Sequence, residues 1–174
     1  MLTHWNKLLN TDCIVVQTKA HTVYPIFRVG YSTLMRVHKK KFVNNQIAQC
    51  DEITVVIREP GERFVSGVNE YARQHSMEVH DTWELIDKGQ LHDRHFTPQY
   101  LWLMHLSKYH KGNITIRPFE YLGQITDLHL NQSKTRTEVP VIGSFVRVDE
   151  SLKRYYNKTV SLTDIVRRYR HVLS

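Results

Sequence analysis

Short apolar runs alternate with helical spacings along the 174-residue chain. Ile14–Thr18 and Val23–Phe27 read as strands. Ile53–Ile57, ITVVI, is a β-branched and wholly apolar run, the pattern of a parallel strand covered on both faces. Ile114–Arg117 is another short strand. Between these runs the period lengthens to that of helices. From Ser32 to about Gln49 the inward set is Leu34, Met35, Phe42, Val43 and Ile47, and from Glu62 to Gln74 it is Phe64, Val65, Val68, Tyr71 and Ala72. Asp81 caps a short helix that Gly89 ends. Thr97–His110, with Pro98 in its first turn, is apolar on most sides and is expected to be buried. Phe119–Ile125 reads as a short helix, and residues 128–145 as polar and irregular. Ser161 and Asp164 make a capping-box-like start to a last helix that buries Leu162, Ile165, Val166, Tyr169 and Leu173. Strands alternating with helices predict an α/β fold, a single domain over residues 1–174 with a mostly parallel central sheet flanked by helices.

The length suits one domain with its own core. With 41% hydrophobic and 24% charged residues, the composition is that of an ordinary soluble globular chain. No run of about 18 apolar residues occurs, so no membrane span is expected. The opening residues, MLTHWNKLLNTDC, have neither a long apolar stretch nor a small-residue cleavage site, so a cytoplasmic location is expected. Cys13 and Cys50 make no metal motif and read as two buried thiols, with a single disulfide as the alternative. A formal charge of +7 points to anionic partners: nucleic acid, a sulfated sugar or a phosphorylated cofactor. The basic clusters Arg36–Lys41 and Arg167–Arg170 read as solvated helix faces. No zinc-finger spacing or aromatic RNA-binding motif is present, so nucleic acid has no specific support.

Two strand-to-helix junctions carry candidate chemistry. After strand 23–27 the chain turns through Arg28, Val29, Gly30 and Tyr31 into a helix that starts near Ser32. Unpaired amides and the dipole at a helix start favour an anion. Gly30 permits close backbone approach, Ser32 and Thr33 add hydroxyls, and Arg28 adds a fixed positive charge. The plainer alternative is a capped helix beside an incidental arginine. The second junction is VVIREPGERFVSG. Arg58 sits at the carboxyl end of the apolar strand, where open α/β sheets bind ligands, and Ser66 lies in the following helix. Its alternative is an arginine paired with Glu59 or Glu62.

Together the junctions resemble the two phosphate-binding motifs of sulfotransferases that use 3′-phosphoadenosine-5′-phosphosulfate (PAPS). R-V-G-Y-S-T-L is similar to their 5′-phosphosulfate loop, usually K-x-G-x followed by two Ser or Thr. R-E-P-G-E-R-F-V-S is similar to their 3′-phosphate motif, usually Arg, an acid, Pro, two residues, Arg, two residues and Ser. HFTPQYLWL, residues 95–103, and ITIRPFEYLGQI resemble segments of the carbohydrate sulfotransferase branch. The likeness runs from about residue 23 to residue 127. It implies a P-loop nucleotide-hydrolase-like architecture and PAPS as donor, with no metal. Arg28, Gly30, Tyr31, Ser32 and Thr33 would hold the 5′-phosphosulfate, and Arg58 and Ser66 the 3′-phosphate. The acceptor implied is a hydroxyl, on a carbohydrate or a small molecule.

Arg28 stands where the family has lysine, and Tyr31 where it often has Ser or Thr. Residues 49–53, between the first helix and the next strand, leave no room for an insert that often carries an acceptor-binding base in relatives. Sulfuryl transfer needs an in-line acceptor oxygen, stabilisation of the leaving phosphate and a base for the hydroxyl proton. His95 is the candidate base, with a helix-capping role as its alternative, and Arg28 is the candidate for the leaving charge. His38 and Glu70 follow as bases, with a helix-surface ion pair as the favoured role of Glu70; His92 and Arg94 follow as contacts to an acidic acceptor, and Lys134 and Arg136 as residues of a closing loop, for which a plain solvated loop is the favoured alternative. Two other readings stay open: a non-catalytic nucleotide- or glycan-binding module of the same fold, and a kinase-like phosphotransferase.

Overall fold

Six strands form one mixed sheet in the computed structural model, which describes residues 6–126 and 136–171. The strands are β1 (Ile14–Gln17), β2 (Thr22–Tyr24), β3 (Lys41–Val43), β4 (Glu52–Ile57), β5 (Asn113–Pro118) and β6 (Lys158–Ser161), in the spatial order β3-β1-β2-β4-β5-β6. β2, β4 and β5 run parallel at the centre. The pairings of β1 with β2, β1 with β3 and β5 with β6 are antiparallel. The fold is therefore α/β as expected, but its sheet is not mostly parallel. Connection length is the physical reason, because a parallel neighbour needs a crossover of a dozen residues or so and an antiparallel one does not. β1 turns straight into β2, with the Thr18 amide donating to the His21 carbonyl at 2.8 Å.

The helix expected from Ser32 to about Gln49 is three elements. α2 (Tyr31–Val37) stops before Lys39, Lys40 and Lys41, and is followed by β3 and a 3-10 turn, Asn44–Gln49. Phe42 and Val43 pair with Val15 and Ile14 of β1, a long-range contact that outweighs the local helical spacing. Asn44 secures the corner with φ 50°, and its side chain accepts from the Cys13 amide at 2.9 Å. The insert-free connection expected at residues 49–53 is thus the end of a longer excursion that includes a strand.

β4 is the apolar run ITVVI with one preceding residue, and Ile53, Val55, Val56 and Ile57 are all buried. α3 (Pro60–Gln74) follows it, packed against α4 (Val79–Asp87) and α7 (Gly143–Leu152). α5 (Gln99–Ser107) lies against α1 (Asn6–Leu9), α7 and α8 (Leu162–Arg170). Its burial on nearly every side matches its all-round apolar sequence. α6 (Leu122–Thr126) completes the set. The reading of 128–145 as irregular missed the start of α7, and β6 was missed because its residues, KTVS, are half polar and only partly covered. Leu173 lies outside the described residues. Cys13 is buried, whereas Cys50 is half-exposed, and both are free thiols. Among the described residues, no helix is long and apolar enough to cross a membrane.

α5 begins after Pro98, which offers no side-chain cap. Its first amides, those of Gln99 and Tyr100, donate instead to the Asp149 carboxylate of α7 at 2.6 and 2.8 Å. Asp149 is 2% exposed, and burial pushes its carboxyl up to about 6 against the pull of those amides and of Arg63. Arg63, on α3, is equally buried, and burial brings its guanidinium down to about 10. Removing one member leaves an uncompensated charge inside the protein. Asp149→Ala is expected to destabilise the fold by about 3 kcal/mol, read as a lower denaturant midpoint in equilibrium unfolding. Asp149→Asn, which keeps one acceptor, is expected to lose less.

Candidate functional site

The chain leaves the carboxyl end of β2 through a tight turn. The Val29 amide donates to the Ile26 carbonyl at 3.0 Å, and bridges join Ile26 to Val29 and Gly30. Gly30 has φ 72°, and a Cβ there would come within 2.9 Å of the Leu122 side chain. Arg28 also takes a left-handed conformation, φ 65°, which costs an L-residue about 1–2 kcal/mol. Bonds from the next strand and helix hold it there. Nη1 of Arg58 donates to the Arg28 carbonyl at 3.3 Å, and Nε of Arg63 to the Phe27 carbonyl at 2.9 Å.

The Arg28 side chain turns toward α3. Its Nε and Nη2 donate to Oγ of Ser66 at 3.0 and 2.9 Å, and its Nη1 lies 3.7 Å from Oε2 of Glu70. Burial lowers the pKa of this guanidinium, opposed by the Glu70 charge. Arg58, at the carboxyl end of β4, is fixed by a reciprocal pair with Gln99. The Arg58 amide donates to Oε1 at 2.9 Å, and Nε2 of Gln99 donates to the Arg58 carbonyl at 2.9 Å. The Arg58 guanidinium lies over the Phe119 ring at 4.9 Å, and its Nε is 3.8 Å from Oε2 of Glu62. That buried Nε has no hydrogen-bond partner among the described residues.

An open cleft of about 600 Å³ lies between these elements. Arg28, Gly30, Tyr31, Ser32, Thr33, Arg58 and His95, all singled out from sequence, line it. Ser66 is buried behind Arg28 and joined to it. The residues assigned to separate 5′ and 3′ positions therefore form one hydrogen-bonded group, because the loop after β2 and the second turn of α3 face each other across the sheet end. Arg94 lines the cleft as well, whereas His38 and His92 are not among its lining residues. Arg136 pairs with Glu138 at 3.1 Å and donates to the Glu62 carbonyl at 3.5 Å. Lys134 lies outside the described residues.

His95 stands in the turn before α5. Its ring meets Phe27 edge-on with centroids 5.3 Å apart, and Arg94 covers the same Phe27 at 4.7 Å. Asp93 is 2.5 Å from Nδ1 of His95 and also accepts the His95 amide at 2.9 Å. α3 approaches this turn so closely that a Cβ on Gly67 would lie 2.2 Å from the His95 carbonyl oxygen.

Sequence reading missed Arg36, Phe27, Phe119 and Gln74 in the lining, and Asp93 and Arg63 behind it. Arg63 had a signal, since it is the second arginine of REPGERF, and Asp93 had a weak one in its place two residues before His95.

Four arginines and a single carboxylate, Glu70, face the cleft among its described lining residues, so its field favours anions. Comparison of the chain with protein-family models, with curated proteins and with solved structures returns no match.

Glu70 accepts from Arg73 and from Gln74, the latter at 2.8 Å, and faces Arg28. The Arg73 hydrogen bond is the main cause that brings its carboxyl from 4.5 down to about 2. A depressed carboxylate contributes stability that is present above its unfolded pKa and is lost as pH falls through the folded one. The gap in unfolding free energy between the native chain and Glu70→Gln is thus expected to close as pH drops from 4.5 toward about 2, measured by urea unfolding across that range.

Proposed function

We propose that the cleft binds PAPS and that the chain is a sulfotransferase of P-loop-like architecture acting on a hydroxyl, that of a carbohydrate. One observation carries this reading: two sequence motifs that resemble the two phosphate-binding segments of that family meet at the carboxyl ends of the neighbouring parallel strands β2 and β4, in one arginine-rich cleft. Its volume is in the range of small-molecule sites. The donor's phosphates and sulfate require several cations at close range, and Arg28, Arg58, Arg36 and Arg94 supply them. Arg58 would take the 3′-phosphate, with its buried Nε still lacking a hydrogen-bond partner among the described residues. Ser66 would act on that phosphate through its contact with Arg28 or directly. Gly30, Tyr31, Ser32 and Thr33 would take the 5′-phosphosulfate, beside Phe27 and Phe119.

When bound, PAPS supplies a sulfuryl group whose sulfur bonds to the acceptor oxygen as its bond to the donor's phosphate oxygen breaks, the electron pair leaving on that oxygen. Arg28 would meet the charge that collects there, a fixed guanidinium in a partly desolvated loop. His95 lines the cleft and would accept the hydroxyl proton.

A second reading has its own observation. Arg28 already bonds Ser66 and lies beside Glu70, which suits a module that holds an anion without transferring sulfate. The kinase-like alternative has no such support, since the cleft's carboxylate, Glu70, is engaged by Arg73 and Gln74.

Thermal unfolding with adenosine 3′,5′-bisphosphate tests donor binding. At about 100 times its dissociation constant the bisphosphate is expected to add roughly 2.7 kcal/mol. Arg58→Ala is expected to weaken its binding about 10- to 100-fold, the equivalent of about 1.5–3 kcal/mol for a charge-assisted contact. A shift with magnesium-ATP and none with the bisphosphate would sink the proposal. Turnover with a panel of hydroxyl acceptors, present or absent when the bisphosphate binds, separates the enzyme from the binding module.

A further inference from the structure

We infer that Asp93 is the positioning residue for His95: it holds the imidazole in the Nδ1–H tautomer and thereby presents Nε2 to the cleft as a proton acceptor. The acceptor-proton role rests on the sulfotransferase reading; the tautomer does not.

Three observations converge. The first is the double contact, in which one oxygen of Asp93 takes both the His95 amide, at 2.9 Å, and Nδ1, at 2.5 Å. Closing the turn requires only the amide. The ring contact is additional, and it decides which nitrogen carries the proton, because a carboxylate accepts and does not donate. Burial works to raise the Asp93 carboxyl, but the hydrogen bonds from His95 and the charges of His95 and Arg94 together hold it below the usual range.

The second observation is the rigidity of the turn. The Asp93 carbonyl accepts from the Thr97 amide at 3.0 Å and from the Thr97 hydroxyl at 2.7 Å. Arg63 binds the Thr97 and Arg94 carbonyls at 2.6 and 3.4 Å. Gly67 lets α3 press directly on the backbone at His95. A base held this way loses little freedom when a substrate arrives.

The third is the orientation of the ring. His95 is 12% exposed and is bounded by the Phe27 and Tyr71 rings, at 5.3 and 6.3 Å. It nonetheless lines the cleft, together with the charged groups Arg28 of the loop after β2, Arg36 of α2, Arg58 at the end of β4, Glu70 of α3 and Arg94 of its own turn. Nδ1 is engaged by Asp93, so the nitrogen left without a proton, Nε2, is the one available to a ligand.

The step is one proton. The acceptor's O–H bond breaks, an Nε2–H bond forms, and the electron pair left on oxygen makes the bond to sulfur described above. Asp93 keeps its charge opposite the imidazolium that results.

Nitrogen-15 NMR of the full chain labelled at histidine tests this without activity. The native protein is expected to show neutral His95 as the Nδ1–H tautomer, and Asp93→Ala to shift it toward Nε2–H. Finding Nε2–H in the native protein, or an unchanged tautomer in folded Asp93→Ala, overturns the inference. The native spectrum decides even where the alanine variant does not fold. With turnover established, Asp93→Ala is expected to lower kcat about 10- to 100-fold while the KM for donor changes little, and Asp93→Asn, which retains an acceptor oxygen, to recover part of that loss. An unchanged kcat also overturns it. Failure of bisphosphate binding with the Nδ1–H tautomer intact would instead count against the donor assignment alone.

Discussion

Arg63 is 2% exposed, and its guanidinium donates to the carbonyls of Phe27, Thr97 and Arg94. Taking an arginine out of water is costly, which is why burial lowers its pKa to about 10. The cost is offset by those carbonyls and by the buried Asp149 charge. The result is a clamp between three parts of the chain, α3, the loop after β2 and the turn before α5, with the Asp149 charge of α7 nearby. Separating the two walls of the cleft would break the bonds that Arg63 makes to carbonyls on both of them. Asp149 extends the same constraint by capping α5, so the helix that carries the His95 turn is anchored to α7 as well.

On that frame, the cleft concentrates positive charge in a small space. Arg28 and Arg58 repel one another, and each lowers the other's neighbour Arg63 further. Each is held by fixed partners: Ser66 and Glu70 for Arg28, Gln99 and the Phe119 ring for Arg58. Arg28 also pays for a left-handed backbone, a strain that persists only because Arg58 and Arg63 hold the carbonyls of the loop. Donors fixed in advance need little reorganisation when negative charge arrives.

The parts of the fold readable from sequence are those where one local pattern dominates. ITVVI became β4, the helix expected over Thr97–His110 became the shorter buried α5, and Ser161 caps α8, accepting from the Asp164 amide at 3.3 Å. The parts that were misread depend on partners far along the chain. Phe42 and Val43 look helical until β1 is beside them, and the half-polar Lys158–Ser161 give no strand signal of their own before they pair with β5. Of the cleft, the motif residues Arg28, Gly30, Ser32, Thr33 and Arg58 were legible because glycine, hydroxyl and arginine at a strand end have a local physical meaning. Asp93, Phe27 and Phe119 were not, since their roles come from what stands opposite them.

Local spacing by itself determined that the chain alternates strands and helices, that two strand ends carry arginine and hydroxyl groups, and that the balance of charge favours an anion. The tertiary structure alone decided the rest: antiparallel strands at both sheet edges, the bond between Arg28 and Ser66 that merges two expected subsites, and the contact that turns the His95 ring. The physical reason is that backbone preference and apolar period act over a few residues, whereas hydrogen bonds between side chains and the desolvation of charges depend on groups that only folding brings within reach.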